Sequence, residues 1–149
     1  MQLFDYQRLS VLMKQAGLDL VLANSPTNVR YLLNYYPHGI YSTSWLLDDG
    51  SRFYQSFVGL PADDRHAPFF TPWVGEAGYL SEHEPWVQDR HFYGDDMPIP
   101  GVQQTTNAPA HPEAAAIIAI RDRNLSSARI GVEMASLPAG SYDMLRSEL

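Results

Sequence analysis

Apolar residues recur at helical spacing in some segments of the chain and form short continuous runs in others. These two patterns alternate, and they predict helices and strands in turn. Apolar residues at helical spacing predict a first helix, and they are Tyr6, Leu9, Leu12, Met13 and Ala16. Asp5 is placed to cap this helix, and Gly17 is placed to end it. The apolar run from Leu18 to Ala23 is typical of a strand buried on both faces. Ser25 and Pro26 then suit the N-cap and first position of a second helix.

The centre of the chain predicts a hairpin followed by a long region of loops. Strand-like stretches at 44–47 and 52–58 flank a turn at 48–51, and an Asp-Gly pair between apolar stretches is typical of a hairpin. Residues 61–112 contain eight of the eleven prolines, which predicts loops. One short strand is predicted between Val87 and Tyr93.

The last third of the chain predicts helix, strand and helix. Pro112 and Glu113 suit the first turn of a helix that ends near Asn124. Its predicted inward residues are Ala114, Ala116, Ile117 and Ile120. Residues 129–134 predict a strand and residues 138–149 a helix, whose apolar stripe consists of Tyr142, Leu145 and Leu149. This alternation of helices and strands predicts an α/β fold with a mixed sheet.

Composition narrows the classes of protein that fit this pattern. A length of 149 residues suits one domain, and the absence of cysteine excludes disulfides, thiol nucleophiles and cysteine-ligated metals. No apolar run is long enough to span a membrane, and the amino end lacks the basic start of a signal peptide. We therefore expect a soluble, cytoplasmic domain. With one lysine and no basic cluster, nucleic acid is not an expected partner.

The net charge of −7 is concentrated in one part of the chain. Residues 48–96 hold ten acidic and three basic residues, a difference that equals the whole net charge. This acidic segment is interpreted either as a solvated face or as a surface for a cationic partner or a metal.

Histidines and carboxylates lie close together at positions 82–91, namely Glu82, His83, Glu84, Asp89 and His91. A metal site and ordinary surface histidines are both open interpretations. In an extended segment His83 would point away from Glu82 and Glu84, and no His-Glu-x-x-His pattern is present. The chain also lacks a nucleophile elbow and a glycine-rich phosphate loop.

The stretch from Tyr35 to Ser44 is rich in tyrosine and hydroxyl side chains. It follows a predicted helix and precedes a predicted strand, a position at which α/β folds commonly bind ligands. Tyrosine combines a stiff aromatic surface with a polar tip, which suits a pocket or an interface. Covering the edge of the sheet is the alternative interpretation.

Several short motifs, taken in order, resemble the amino-terminal domain of the creatinase/prolidase (Xaa-Pro dipeptidase/aminopeptidase P) metallopeptidase superfamily. The motifs are Tyr6-x-x-Leu9, Gly17-Leu-Asp-Leu20, Asn28-Val-Arg-Tyr-Leu32, Trp45-Leu-Leu-Asp-Asp-Gly50 and Arg129-Ile-Gly-Val-Glu133. The resemblance covers residues 5–58 and 112–149. It implies one domain over residues 1–149, a three-layer α/β/α fold with a mixed, mainly parallel sheet.

In this family the chemistry belongs to a second, carboxy-terminal "pita-bread" domain. That domain binds two divalent metals (Mn, Co or Zn) through two Asp, one His and two Glu, and this chain has none of those motifs. The resemblance therefore implies a non-catalytic amino-terminal domain whose partners are the catalytic domain of the parent protein and a second copy in a homodimer. By position, it implies Tyr36, His38 and Tyr41 as substrate-proximal or interface residues.

Two other functions stay open, and the end of the chain bears on one of them. Leu149 lies on the apolar stripe of a predicted helix without a C-cap, which favours a polypeptide that continues. A chain that stops there would instead suit an autonomous module that binds a small ligand or a protein. The third function is an independent enzyme with a metal site in residues 82–91.

Overall fold

The computed structural model of the protein describes residues 2–35, 55–94 and 107–149. The helices in these ranges are α1 Tyr6–Gln15, α2 Pro26–Leu33, α3 Ala77–Glu82, α4 Pro112–Asp122 and α5 Ala139–Glu148. The strands are β1 Leu20–Ala23, β2 Val58–Pro61, β3 Phe69–Phe70, β4 Asp89–Arg90 and β5 Ile130–Val132. A 3₁₀ turn, Val74–Glu76, leads into α3.

The five described strands form one mixed sheet in the order β4-β3-β2-β1-β5. β1 pairs in parallel with β5, and β3 pairs in parallel with β4. β2 is antiparallel to both of its neighbours, β1 and β3. Four strands therefore run in one direction and β2 runs against them, which confirms the predicted mixed, mainly parallel sheet.

Helices cover both faces of the sheet, so the predicted three layers are confirmed. On one face, Leu22 and Phe69 pack with α4 and α5 in a core that includes Ile120 and Leu145. On the other face, side chains of β2 and β3 pack with α2 and α3 in a second core. Tyr6 and Leu9 of α1 cover this core. Its buried members include Val58, Leu60, Phe70, Val29, Leu33 and Leu80. The two residues of β3 serve opposite cores, since Phe69 belongs to the first and Phe70 to the second.

Local capping signals fix both ends of α1. The Asp5 carboxylate accepts the Arg8 backbone N–H at 2.9 Å, as predicted for the N-cap. Gly17 has a φ of +68°, and the Leu18 N–H donates to the Met13 carbonyl at 2.8 Å. This is the glycine-dependent reversal that closes a helix. Two residues later the chain enters β1.

Most predicted elements of the described ranges form, with a few differences. Leu12, which is 52% exposed, and Ala16, also exposed, do not face the core as their spacing predicts, whereas Met13 does. Ala114 is only partly buried, while Ala115 is fully buried. The predicted turn of the hairpin and its first strand lie outside the described residues, and β2 starts only at Val58.

The Phe57 backbone explains the late start of β2. Its N–H donates to the Thr71 hydroxyl at 2.8 Å, and its carbonyl accepts the Thr71 N–H at 2.9 Å. The Thr71 hydroxyl thus takes the place of the backbone carbonyl that would accept the Phe57 N–H in a regular β-ladder. The short strand predicted between Val87 and Tyr93 is confirmed as β4. In the described ranges no helix is long and apolar enough to cross a membrane.

Candidate functional site

The sequence-predicted candidates Tyr36, His38 and Tyr41 lie outside the described residues. Their described neighbour is Tyr35, which is buried and donates its hydroxyl to Glu76 Oε2 at 3.0 Å. Burial, reinforced by the Glu76 charge, raises the pKa of Tyr35 far above its usual value. Tyr35 therefore stays protonated and anchors the end of α2 to the turn before α3.

The acidic and histidine-rich segment at 82–91 does not converge on one point. Across residues 2–35, 55–94 and 107–149, no group of three or more His, Asp or Glu side chains could hold a metal ion. Asp89 faces α4, where it pairs with Arg123, whereas Arg90 lies 3.6 Å from Glu84. The described residues thus offer nothing that fits the two-metal centre of the family.

Arg123 is a buried structural residue that sequence analysis missed. Its Nε donates to the Ala67 carbonyl at 2.8 Å, and its Nη1 donates to the Ala119 carbonyl at 2.7 Å. Nη2 pairs with the Asp89 carboxylate, and the guanidinium lies 4.6 Å from the centre of the Phe69 ring. One side chain thereby joins α4 to β4 and to the loop before β3. No local sequence signal marks an arginine whose partners are so distant.

The Glu133 carboxylate joins the end of β5 to the start of α2. Its Oε2 accepts the backbone N–H groups of Asn24 at 3.1 Å and Ser25 at 2.9 Å. Its Oε1 accepts the Asn28 side-chain amide at 2.6 Å. A second link is made by the Asn24 amide, which donates to the Ser136 carbonyl at 2.8 Å.

Electrostatics favours the ionised form of Glu133. Partial burial raises its pKa, but the hydrogen bonds from Ser25, Asn24 and Asn28 lower it by more, so the pKa lies below its usual value. The amino end of α2 adds a partial positive charge beside the carboxylate. The negative charge of Glu133 is therefore part of what holds β5 in place.

A second pair of motif residues, Asp19 and Arg129, joins the amino ends of β1 and β5. The Arg129 backbone N–H donates to Asp19 Oδ2 at 2.9 Å, and the Asp19 N–H donates to the Arg129 carbonyl at 2.9 Å. The Arg129 guanidinium packs on Gly17, where an ideal Cβ would be only 2.9 Å from Nη1. The motif residues Gly17, Asp19 and Arg129 thus form one contact between β1 and β5.

The fold and these contacts between motifs together define an α/β domain. The family model described as the Creatinase/Prolidase N-terminal domain matches residues 6–149. The chain therefore belongs to the creatinase/prolidase N-terminal domain family. A search of curated proteins finds no match.

Solved structures show the same fold at low sequence identity. The N-terminal domain of an Xaa-Pro dipeptidase from Lactobacillus brevis is 13% identical with a TM-score of 0.65, over 97% of this chain and 87% of that one. The N-terminal domain of the cytoplasmic peptidase PepQ from Mycobacterium tuberculosis is 15% identical with a TM-score of 0.55, over 97% and 83%.

A longer relative is the Xaa-Pro dipeptidase from Bacillus anthracis, which is 14% identical with a TM-score of 0.59. The match covers 97% of this chain but only 30% of that dipeptidase. The chain therefore corresponds to about a third of the length of this relative.

Proposed function

We propose that this chain acts as the non-catalytic N-terminal domain of an Xaa-Pro dipeptidase or creatinase-like metallohydrolase. The observation that carries the proposal is the family match over residues 6–149. The contacts of Asn28 with Glu133 and of Asp19 with Arg129 support it, because they join motif residues to one another, α2 to the end of β5 and β1 to the start of β5.

In this proposal the two divalent metals belong to the catalytic domain, where they would activate a water molecule for hydrolysis. This chain contributes the wall of the substrate entrance and part of a homodimer interface. Tyr36, His38 and Tyr41 are the proposed residues for that role, because they follow α2 directly in the sequence. A cytoplasmic location is proposed from the similarity to the cytoplasmic peptidase of M. tuberculosis.

A hydrolysis assay tests whether the chain is catalytic by itself. The purified chain is incubated with Xaa-Pro dipeptides and Mn²⁺ or Co²⁺, beside a protein-free blank and the Xaa-Pro dipeptidase from Bacillus anthracis as a positive control. We expect hydrolysis in the positive control only. Hydrolysis that co-elutes with the chain and disappears with a chelator would contradict the proposal.

The identity of the parent protein is tested separately by reading the gene downstream of codon 149. We expect a continuing reading frame that encodes two Asp, one His and two Glu in the order of the family. A stop codon at that point, with no such frame beside it, would favour the autonomous module.

The proposed interface is tested by the mass of the chain in solution. We expect about twice the chain mass of 16.8 kDa. The Tyr36→Ala, His38→Ala and Tyr41→Ala variants should shift this mass towards the monomer, while Tyr79→Ala, at an exposed tyrosine of α3, should not. A monomeric wild type, or equal behaviour of all four variants, would contradict the interface.

A further inference from the structure

A cleft of about 450 Å³ opens at the amino ends of β1 and β5, opposite the end that Glu133 occupies. The carboxyl ends of α1 and α4 border it. Its polar lining includes Lys14, Arg65, His66, Asn124, Ser127 and Arg129. We call it the amino-end cleft.

Positive side chains outnumber negative ones in the amino-end cleft. The chain carries a net charge of −7, and its single lysine, Lys14, lies here together with Arg65 and Arg129. The carboxylates of the lining are Asp19 and Asp63. Counting these five ionised side chains gives three positive and two negative charges, a net charge of +1 in an acidic protein, which the partial negative charge at the carboxyl ends of α1 and α4 reduces in part.

Both carboxylates of the cleft are engaged by other groups. Asp63 Oδ2 accepts Arg65 Nε at 2.8 Å and Nη2 at 2.5 Å, and this pairing lowers the pKa of Asp63. Asp19 Oδ2 accepts the backbone N–H of Arg129. The charge of Arg65 is thereby balanced. In the described ranges, neither Lys14 Nζ nor the Arg129 guanidinium has a carboxylate partner within 4 Å.

The Arg129 guanidinium lies directly over Gly17. Its Nη1, Cζ and Nη2 atoms would lie 2.9–3.1 Å from an ideal Cβ at Gly17. The positive φ of that turn, +68°, is one that glycine adopts without strain. A planar guanidinium can bind an oxyanion through two parallel N–H groups.

We propose that the amino-end cleft binds a small multivalent oxyanion, either free phosphate or a phosphate monoester. Arg129 and Lys14 supply the charge, and the hydroxyl of Ser127 and the side-chain amide of Asn124 supply neutral donors. The cleft lies at the far end of β1 from the Asn28–Glu133 contact.

Titration of the full chain with inorganic phosphate, at constant ionic strength adjusted with chloride, tests the proposal. Amide NMR signals of Gly17, Ser127 and Arg129 should move saturably with phosphate. A parallel titration with glycerol 3-phosphate distinguishes the monoester from the free ion, because tighter binding of the ester would identify a phosphorylated compound as the ligand. Equal or weaker binding would identify free phosphate.

Arg129→Gln and Lys14→Gln should each raise the dissociation constant for phosphate about tenfold or more, as expected for the loss of a charge-assisted hydrogen bond. Arg8→Gln is the matched control, since Arg8 is exposed on α1 outside the cleft, and it should bind phosphate as the wild type does. Spectra in chloride confirm that each variant is folded, and Lys14→Gln decides the outcome if Arg129→Gln unfolds. Absence of saturable shifts in the wild type, or equal affinities in Lys14→Gln and Arg8→Gln, would overturn the proposal.

Discussion

The side-chain amide of Asn28 donates to the carboxylate of Glu133 at 2.6 Å, across 105 residues of sequence. Asn28 lies in the first turns of α2, and Glu133 directly follows β5. Two motifs that are far apart in the sequence thus meet at one contact beside β1. The contact therefore joins the end of β5 to α2, the helix that follows the neighbouring strand β1.

Glu133→Gln is expected to lower the free energy of unfolding by about 1–2 kcal/mol. The neutral amide has only one acceptor oxygen, so its NH₂ group would face either the N–H groups of Asn24 and Ser25 or the side-chain amide of Asn28. Urea denaturation measures the change. Glu148→Gln is the control, because Glu148 forms an exposed pair with Arg121 whose loss should cost about 0.5 kcal/mol or less. Equal effects of the two substitutions would contradict the structural role of Glu133.

The stabilisation by Glu133 should depend on pH with a defined sign. Its pKa is lower in the folded than in the unfolded protein, so the folded state binds fewer protons in this range. The contribution is present above the unfolded value of 4.5 and declines as pH falls from there through the folded pKa. The stability difference between wild type and Glu133→Gln should therefore be constant at neutral pH and shrink below pH 4.5. A difference that grows on acidification would reverse the sign and reject this account.

Sequence reasoning predicted those parts of the fold that depend on local chemistry. Asp5, Ser25 and Gly17 act where the sequence predicts them, because a cap needs only neighbouring backbone groups. Arg123 was missed because its partners, Ala67 and Asp89, are distant in the sequence and meet it only after the sheet has formed. The same limit applies to the candidate site, where motif order indicated the family but not that Asn28 binds Glu133.

Arg123→Gln should destabilise the protein by about 2–3 kcal/mol, since it leaves the Asp89 carboxylate without its cation and two carbonyls without their donors. Arg121→Gln is the matched control on the same helix, because Arg121 is half exposed and pairs with Glu148 at the surface. Thermal and urea unfolding of both variants measure the difference. A cost for Arg121→Gln as large as that for Arg123→Gln would show that loss of charge, and not the buried contact, matters.

Gly59→Ala tests the close approach of β2 to Phe69. An ideal Cβ at Gly59 would lie 2.1 Å from the Phe69 ring, so either the ring or the β2–β3 pairing must shift. Overpacking of this kind costs about 1–3 kcal/mol, and the variant should unfold at lower urea concentration. Gly78→Ala is the control within α3, where a Cβ has nothing within 4 Å and alanine favours the helix by up to about 1 kcal/mol. The two substitutions should therefore change stability in opposite directions, and a stabilising Gly59→Ala would refute the packing of Phe69 across β2.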